Sequence, residues 1–361
     1  MKFDTRSLGR ASLVVLALCA ANSLAQQSAP GKLQIANLGR CVLDSGQTID
    51  PCILGYRTYG RLNAEMSNAI VFPTWYGGTS EELANFFGPD KLVDTSRFFG
   101  VAIDAFGDGI SSSPSNSASR PGPAFPAVTI RDMVHAEYRL VTEVLRLRHL
   151  HAVIGISMGG MQTFEWMVDY PQFLDRAVSI VGTPWLTAQD LLHFDLVRKL
   201  IVSDPGFNGG NYAAEPSLEL FNEFDTLTLH TPAYIARTVP REGFPRLLES
   251  SLKPKGVRDA NDRLFQLEAM KNLDVTRGLG SLADAARRVH IKQLIVVSTQ
   301  DQLANPAPAL EWAQAIQAQT FVSTGDCGHS IMECDGSAII SAVHGFLEAK
   351  QPPSSPDNSR Q

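Results

Sequence analysis

Residues 151–171 read HAVIGISMGGMQTFEWMVDYP. Ala152–Ile156 is a short, wholly apolar run without alternation, the signature of a strand buried on both faces. Met158–Asp169 reads as the helix that follows. Between them, Gly155-Ile156-Ser157-Met158-Gly159 is a G-x-S-x-G pattern in strand–turn–helix context. Side chains at positions 155 and 159 would collide with neighbouring backbone in so sharp a turn, and glycine avoids this. The corner lifts the Ser157 hydroxyl to the C-terminal edge of a sheet, and the helix N-terminus sets positive dipole beside it. The expectation is a nucleophile. The plain alternative is a glycine-rich tight turn with an incidental serine.

Outward from this corner, strand and helix signals alternate. Leu33–Asn37, Cys52–Tyr59, Ala69–Pro73, Phe98–Asp104, Ala152–Ile156, Ala177–Val181, Lys292–Ser298 and Thr320–Thr324 read as eight strands. The last five are apolar on both faces, as central parallel strands are. Ile130–Leu147 repeats apolar residues at helical spacing through Met133, Val134, Leu140, Val141, Val144 and Leu145. Ala307–Ala318 and Ser337–Glu348 are further helices. Alternation predicts an α/β fold: a mostly parallel, eight-stranded sheet with helices on both faces. It stops between about Pro184 and Arg288, where Pro205, Gly209-Gly210, Pro216, Pro232, Pro240, Pro245 and Pro254 break a helical stretch. Residues 184–288 are therefore expected to form a helical cap inserted into a core of residues 26–183 and 289–350.

A serine nucleophile needs a base, and the base needs an orienting carboxylate, in the chain order Ser, Asp or Glu, His for this fold. Asp301 follows the apolar run that ends at Ser298, and His329 follows the last strand. Both fall on loops after strands, where a parallel sheet presents its site. Six other histidines precede Asp301, and His344 sits inside the final helix. Asp326 is the rival acid, but three residues from His329 it is better read as capping or solvating its own loop. The oxyanion needs two backbone N–H donors. One is expected from Met158, the other from Trp75, with Tyr76 second. Trp75 and Tyr76 also read as aromatics packed under the cap or lining an acyl pocket.

Composition bounds the rest. The chain has 361 residues, 44% hydrophobic and 19% charged, with a net charge of −6. No Lys/Arg block exists, which argues against nucleic-acid binding. No apolar run reaches the roughly 18 residues of a membrane span, so no stable membrane anchor is expected. The N-terminus reads as a secretory signal: a basic start, an apolar run from Ala11 to Ala21, and Ser23-Leu24-Ala25 before Gln26. Cleavage after Ala25 implies a secreted or periplasmic protein and leaves Cys41, Cys52, Cys327 and Cys334. Of three connectivities the local one, Cys41–Cys52 with Cys327–Cys334, needs least chain rearrangement. Each short loop so closed would contribute roughly 2–3 kcal/mol. Four buried free thiols are the alternative. No CxxC or HExxH spacing suggests a metal. The tail, residues 351–361, is polar and Pro/Ser-rich and reads as disordered.

Several segments together resemble the homoserine O-acetyltransferase group of α/β-hydrolase-fold proteins. Leu54-Gly55-Tyr56-Arg57-Thr58-Tyr59-Gly60 with Leu62-Asn63-Ala64 is similar to the group's first hairpin. Phe125–Leu140 is similar to its FPxVTxRDMVxAQ segment, and residues 151–171 to its nucleophile segment. Asp204–Tyr212 is similar to its cap motif. The resemblance places the acid at Asp301 and the base at His329, and aligns Arg198 with an arginine that holds an amino-acid carboxylate in the transferases. Arg198 also reads as a solvated charge on a cap helix. Two loops depart from the transferase pattern: Pro73-Thr74-Trp75, and Phe106-Gly107-Asp108-Gly109-Ile110-Ser111-Ser112-Ser113-Pro114. The combined expectation is a secreted Ser-His-Asp enzyme hydrolysing a small-molecule acyl ester without a cofactor. The alternative is an O-acyltransferase, with acetyl-CoA as co-substrate. A non-catalytic binding protein on the same fold is the third reading. A homodimer through the cap is a further expectation.

Overall fold

The computed structural model describes residues 30–253, 256 and 259–349. The expected signal (1–25) and tail (351–361) lie outside the described residues.

Eight strands form the main sheet: β1 Gln34–Asn37, β2 Ile53–Tyr59, β3 Ala69–Pro73, β4 Phe99–Ile103, β5 Leu150–Ile156, β6 Leu174–Ile180, β7 Lys292–Ser298 and β8 Gln319–Ser323. Their order is β1-β2-β4-β3-β5-β6-β7-β8. β2 runs antiparallel to β1 and β4, and every other pairing is parallel. The register sets Val71 beside Val101 and Val153, and Ile180 beside Ile156.

The unalternating strand sequences follow from cover on both faces. Ile70, Phe72, Ala152, Ile154, Val178, Ile180, Leu294 and Val296 pack with Ile339, Val343 and Phe346 of α10 (Ile331–Glu348). The residues between them, such as Val71, Val153, Ala177, Ile295 and Val297, face the opposite layer. That layer holds α1 (Ile130–Arg139), α2 (Met158–Asp169) and α9 (Pro306–Ile316), with Met133, Phe164, Trp166 and Trp312 at its centre. α1 starts at a reciprocal cap: the Thr129 side chain accepts from the Asp132 amide, and the Asp132 carboxylate accepts from the Thr129 amide.

Three elements depart from expectation. β8 is an edge strand paired to β7 alone, with Val322 45% exposed, so it is not buried on both faces. The helix expected over 130–147 is α-helical only to Arg139. A wider turn follows over Leu140–Val144, and Arg146 at φ 58° ends it. α10 begins at Ile331, six residues before the expected Ser337, and runs through Gly336. The packing of α10 outweighs a cost of about 1 kcal/mol for the interior Gly336.

The segment between β6 and β7 carries the cap: α3 (Ala188–Val202), α4 (Glu219–Leu229), α5 (Pro232–Thr238), α6 (Phe244–Ser251) and α7 (Ala260–Lys271). Its two stems meet, since the Val275 amide donates to the Pro184 carbonyl at 3.0 Å. α8 (Leu282–Arg288) already packs beside α9 in the core layer.

Candidate active site

Ser157 stands between β5 and α2 with φ 56° and ψ −121°. A non-glycine residue in that region is strained by on the order of 1–3 kcal/mol and must be held by its surroundings. Its amide donates to the Ile180 carbonyl on β6 at 2.9 Å, and its carbonyl accepts from the Met161 amide at 3.0 Å. The glycines are steric necessities. A Cβ on Gly155 would run into the Gly159 carbonyl, and one on Gly159 would lie 2.6 Å from the Pro73 oxygen.

Two loops bring the partners. The Asp301 amide bonds back to the Ser298 carbonyl as β7 ends. Its Oδ1 accepts from the Leu303 and Ala304 amides at 2.9 and 3.0 Å, and its Oδ2 meets His329 Nδ1 at 2.7 Å. His329 Nε2 lies 2.9 Å from Ser157 Oγ. Asp301 and His329 are both buried. Burial pulls the imidazole pKa down, but the charge and hydrogen bond of Asp301 outweigh it and leave His329 above its ordinary 6.5.

The His329 loop is tied down from several sides. Cys327 and Cys334 are joined across it, with Cα atoms 6.0 Å apart, and Cys41 and Cys52 are joined near the N-terminal hairpin at 5.6 Å. Arg237 of α5 grips both Asp326 oxygens, at 2.7 and 2.9 Å. Asp326 therefore anchors the loop to the cap instead of serving the imidazole. The Ser330 amide donates to the Leu229 carbonyl, and Tyr234 donates to Glu333.

The loop after β3 faces the first turn of α2, as the contact between Gly159 and Pro73 requires. Thr74 fixes it to β4: its amide donates to the Ile103 carbonyl and its hydroxyl accepts from the Ala105 amide. Gln162, wholly buried on α2, donates to the Thr74 and Met158 carbonyls at 3.0 and 3.3 Å. The Gly77 amide donates to Gln266 Oε1 of cap helix α7 at 2.8 Å, while Gln266 Nε2 donates to the Phe106 carbonyl. Trp75 lines the same cavity as Ser157, and Met158 opens α2 directly after it. Trp75 leans edge-on against Phe86.

A cavity of about 440 Å³ opens over Ser157 and His329. Its wall is mostly apolar, with Met161, Phe194, Val197, Phe221 and Leu267 among its residues, but His193, Asp225 and Arg263 also face it. Tyr76 lines it, as expected. Arg198 does not. One residue past Val197, it points along the seam between α3 and α7 and pairs with Glu268 at 3.2 Å, which corrects its assignment to substrate binding. The contacts of Arg237 and Gln266 were not legible in sequence, because each acts across more than 80 residues; Gln162 sits in the quoted segment, but its Thr74 partner is 88 residues away.

The family described as alpha/beta hydrolase fold matches residues 69–334. The chain belongs to that family. The chain is 39% identical over 293 residues to a probable esterase of Corynebacterium glutamicum, and 32% identical over 293 residues to the ethyl acetate hydrolase of Pseudomonas veronii. Each comparison spans 78% of this chain and 84% of the relative. It is 29% identical to the homoserine O-acetyltransferase of Methanococcoides burtonii, over 86% of this chain and 72% of that one. Among solved structures, an acetylester hydrolase from Corynebacterium glutamicum superposes with a TM-score of 0.82 at 28% identity, covering 88% and 96%. The resemblance to the transferase group holds, and the protein is an enzyme of the serine hydrolase and acyltransferase superfamily.

Proposed function

We propose that this protein hydrolyses small carboxylic esters through an acyl-enzyme on Ser157. The observation that carries the reading is the 2.9 Å contact between Ser157 Oγ and His329 Nε2. In the neutral base, Nδ1–H donates to Asp301 and Nε2 accepts the serine proton as Oγ attacks the ester carbonyl. Trp75 and Met158 N–H groups hold the oxyanion, and the imidazolium formed is steadied by Asp301. Collapse of the tetrahedral intermediate expels the alcohol, which takes the proton from His329. Water, deprotonated by the same imidazole, then releases the acid and restores the serine.

The esterases among the relatives support water as acceptor. The transferase relationship favours a second reading, in which an alcohol takes the acyl group from the same intermediate. Trapping labelled acyl-enzyme and adding water alone, then candidate alcohols, separates them. Release in water at the steady-state rate, unchanged by alcohols, supports hydrolysis. Release that waits for an alcohol overturns it. Failure of a fluorophosphonate to label Ser157 would remove both. Export belongs to the same proposal, supported by the N-terminal pattern and the two cysteine pairs. Sequencing the N-terminus of the mature protein tests it, with Gln26 expected first.

A further inference from the structure

In the loop after β3 the backbone amides divide into two sets. Those of Thr74, Gly77 and Gly78 donate to the Ile103 carbonyl, to Gln266 Oε1 and to the Trp75 carbonyl. Those of Trp75 and Tyr76 find no acceptor among the described residues. Met158 is the first residue of α2, so its amide has no partner within the helix. Behind these amides lies one side chain, Gln162. It is wholly buried, and its Nε2 donates to the Thr74 carbonyl at 3.0 Å and to the Met158 carbonyl at 3.3 Å. Two carbonyl partners fix which end of the amide faces them, since an oxygen in that place would be repelled by both. The other end, Oε1, is buried without a partner among the described residues. An apolar side chain of the same size would avoid that cost.

The Thr74 carbonyl and the Trp75 N–H belong to one peptide unit, which is trans. Such a unit is planar, and its C=O and N–H point in opposite directions. With the carbonyl drawn to Gln162, the Trp75 N–H must point away from it. We propose that Gln162 is a positioning residue for the oxyanion. By holding the Thr74 carbonyl it aims the Trp75 N–H at the place where negative charge develops. By holding the Met158 carbonyl with the same nitrogen it fixes how far apart the two donor backbones stand. Donation to the carbonyl also polarises the peptide, which makes the Trp75 N–H a stronger donor.

The inference rests on the ester-hydrolase reading with Trp75 and Met158 as oxyanion donors, and one experiment keeps them apart. p-Nitrophenyl acetate is compared with its thionoester, in which sulfur replaces the carbonyl oxygen. Sulfur is a poor acceptor, so aligned N–H donors favour the oxygen ester, and the intact protein should prefer it by about tenfold or more in kcat/KM. Gln162→Met removes the donor at nearly constant volume. Checked as folded by thermal melting, it should lose about 10- to 100-fold in kcat on the oxygen ester, with KM changed far less. The thionoester should lose much less, so the preference falls. Gln162→Asn, one methylene shorter, keeps an amide beside Met158 but gives up the reach to Thr74. It should lower the preference too, and it decides the question if the Met variant does not fold. An unchanged preference in a folded variant, whether the rates hold or fall equally on both esters, overturns the role and leaves hydrolysis standing. No preference in the intact protein removes the two donors and the role with them. No turnover of any ester removes the hydrolase reading as well.

Discussion

Ser157 holds an unfavourable backbone conformation that only its neighbours maintain, and its value lies in one short contact to His329. Ser157→Ala should keep the thermal midpoint while lowering ester turnover by on the order of 10⁴-fold or more, read from kcat at saturating ester. His329 must be neutral to act as base. Because Asp301 lifts its pKa above 6.5 against the pull of burial, activity should fall as pH drops through a value above 6.5. Asp301→Asn removes the raising influence and leaves burial, so the acid limb of kcat/KM should move below 6.5 along with a large fall in rate. An unmoved limb would show that another group sets it. At this scale the juxtaposition of Ser157, Asp301 and His329 was readable because each follows a strand inside a short motif. Tyr76, Asp225 and Arg263 come from three distant segments, and Arg198 was misread because helical phase decides which of two adjacent residues meets the cavity.

Strands were legible as unbroken apolar runs, since both faces are covered, but β5 and β6 begin two and three residues before the runs expected from Ala152 and Ala177. Ends were not: β8 lacks an outer neighbour, and α10 absorbs a glycine that local preference would place in a loop. Between them sits the loop whose bridge, Cys327–Cys334, brackets His329. Reduction should lower turnover more than it lowers the melting temperature, compared on one sample with thiol content measured by mass. An unchanged rate after full opening would assign the bridge to stability alone. Gln266 acts at the same scale, tying α7 to the loop after β3. Gln266→Leu should reduce kcat about 10- to 100-fold with KM changed far less, because the loop that carries Trp75, the proposed oxyanion donor, loses its tie to α7. Gln266→Glu should recover part of the loss, as its carboxylate still accepts from Gly77.

Over the whole molecule, buried carboxyls set how stability responds to pH. Glu137 is fully buried, accepts from Trp166 Nε1 at 2.7 Å, and is pushed up to about 8 by burial. Glu165 is likewise pushed up to about 8, by burial first and then by the Asp169 charge. Folded protein retains these protons while unfolded chain loses them above about 4.5, so stability should decline as pH rises from about 5 to 8. Glu137→Gln keeps an acceptor for Trp166 without a proton to lose. Its melting temperature should match the parent at pH 5 and exceed it at pH 8; equal curves would sink the assignment. The insertion as a whole was legible from where strand–helix alternation ceased, but its internal packing was not, since short helices between prolines carry no register.

The joined stems at Pro184 and Val275 give the cap the anatomy of a portable module. A lineage could replace such a lid wholesale by recombination at two nearby seams, altering what enters without rewriting the sheet. Several threads run across those seams, however, among them Arg237 to Asp326, Tyr234 to Glu333 and Gln266 to Gly77. A transplanted lid with other side chains at 237 and 266 would arrive with the machinery beneath it slack. The cap is thus portable at its stems and bound to the core at its side-chain ties.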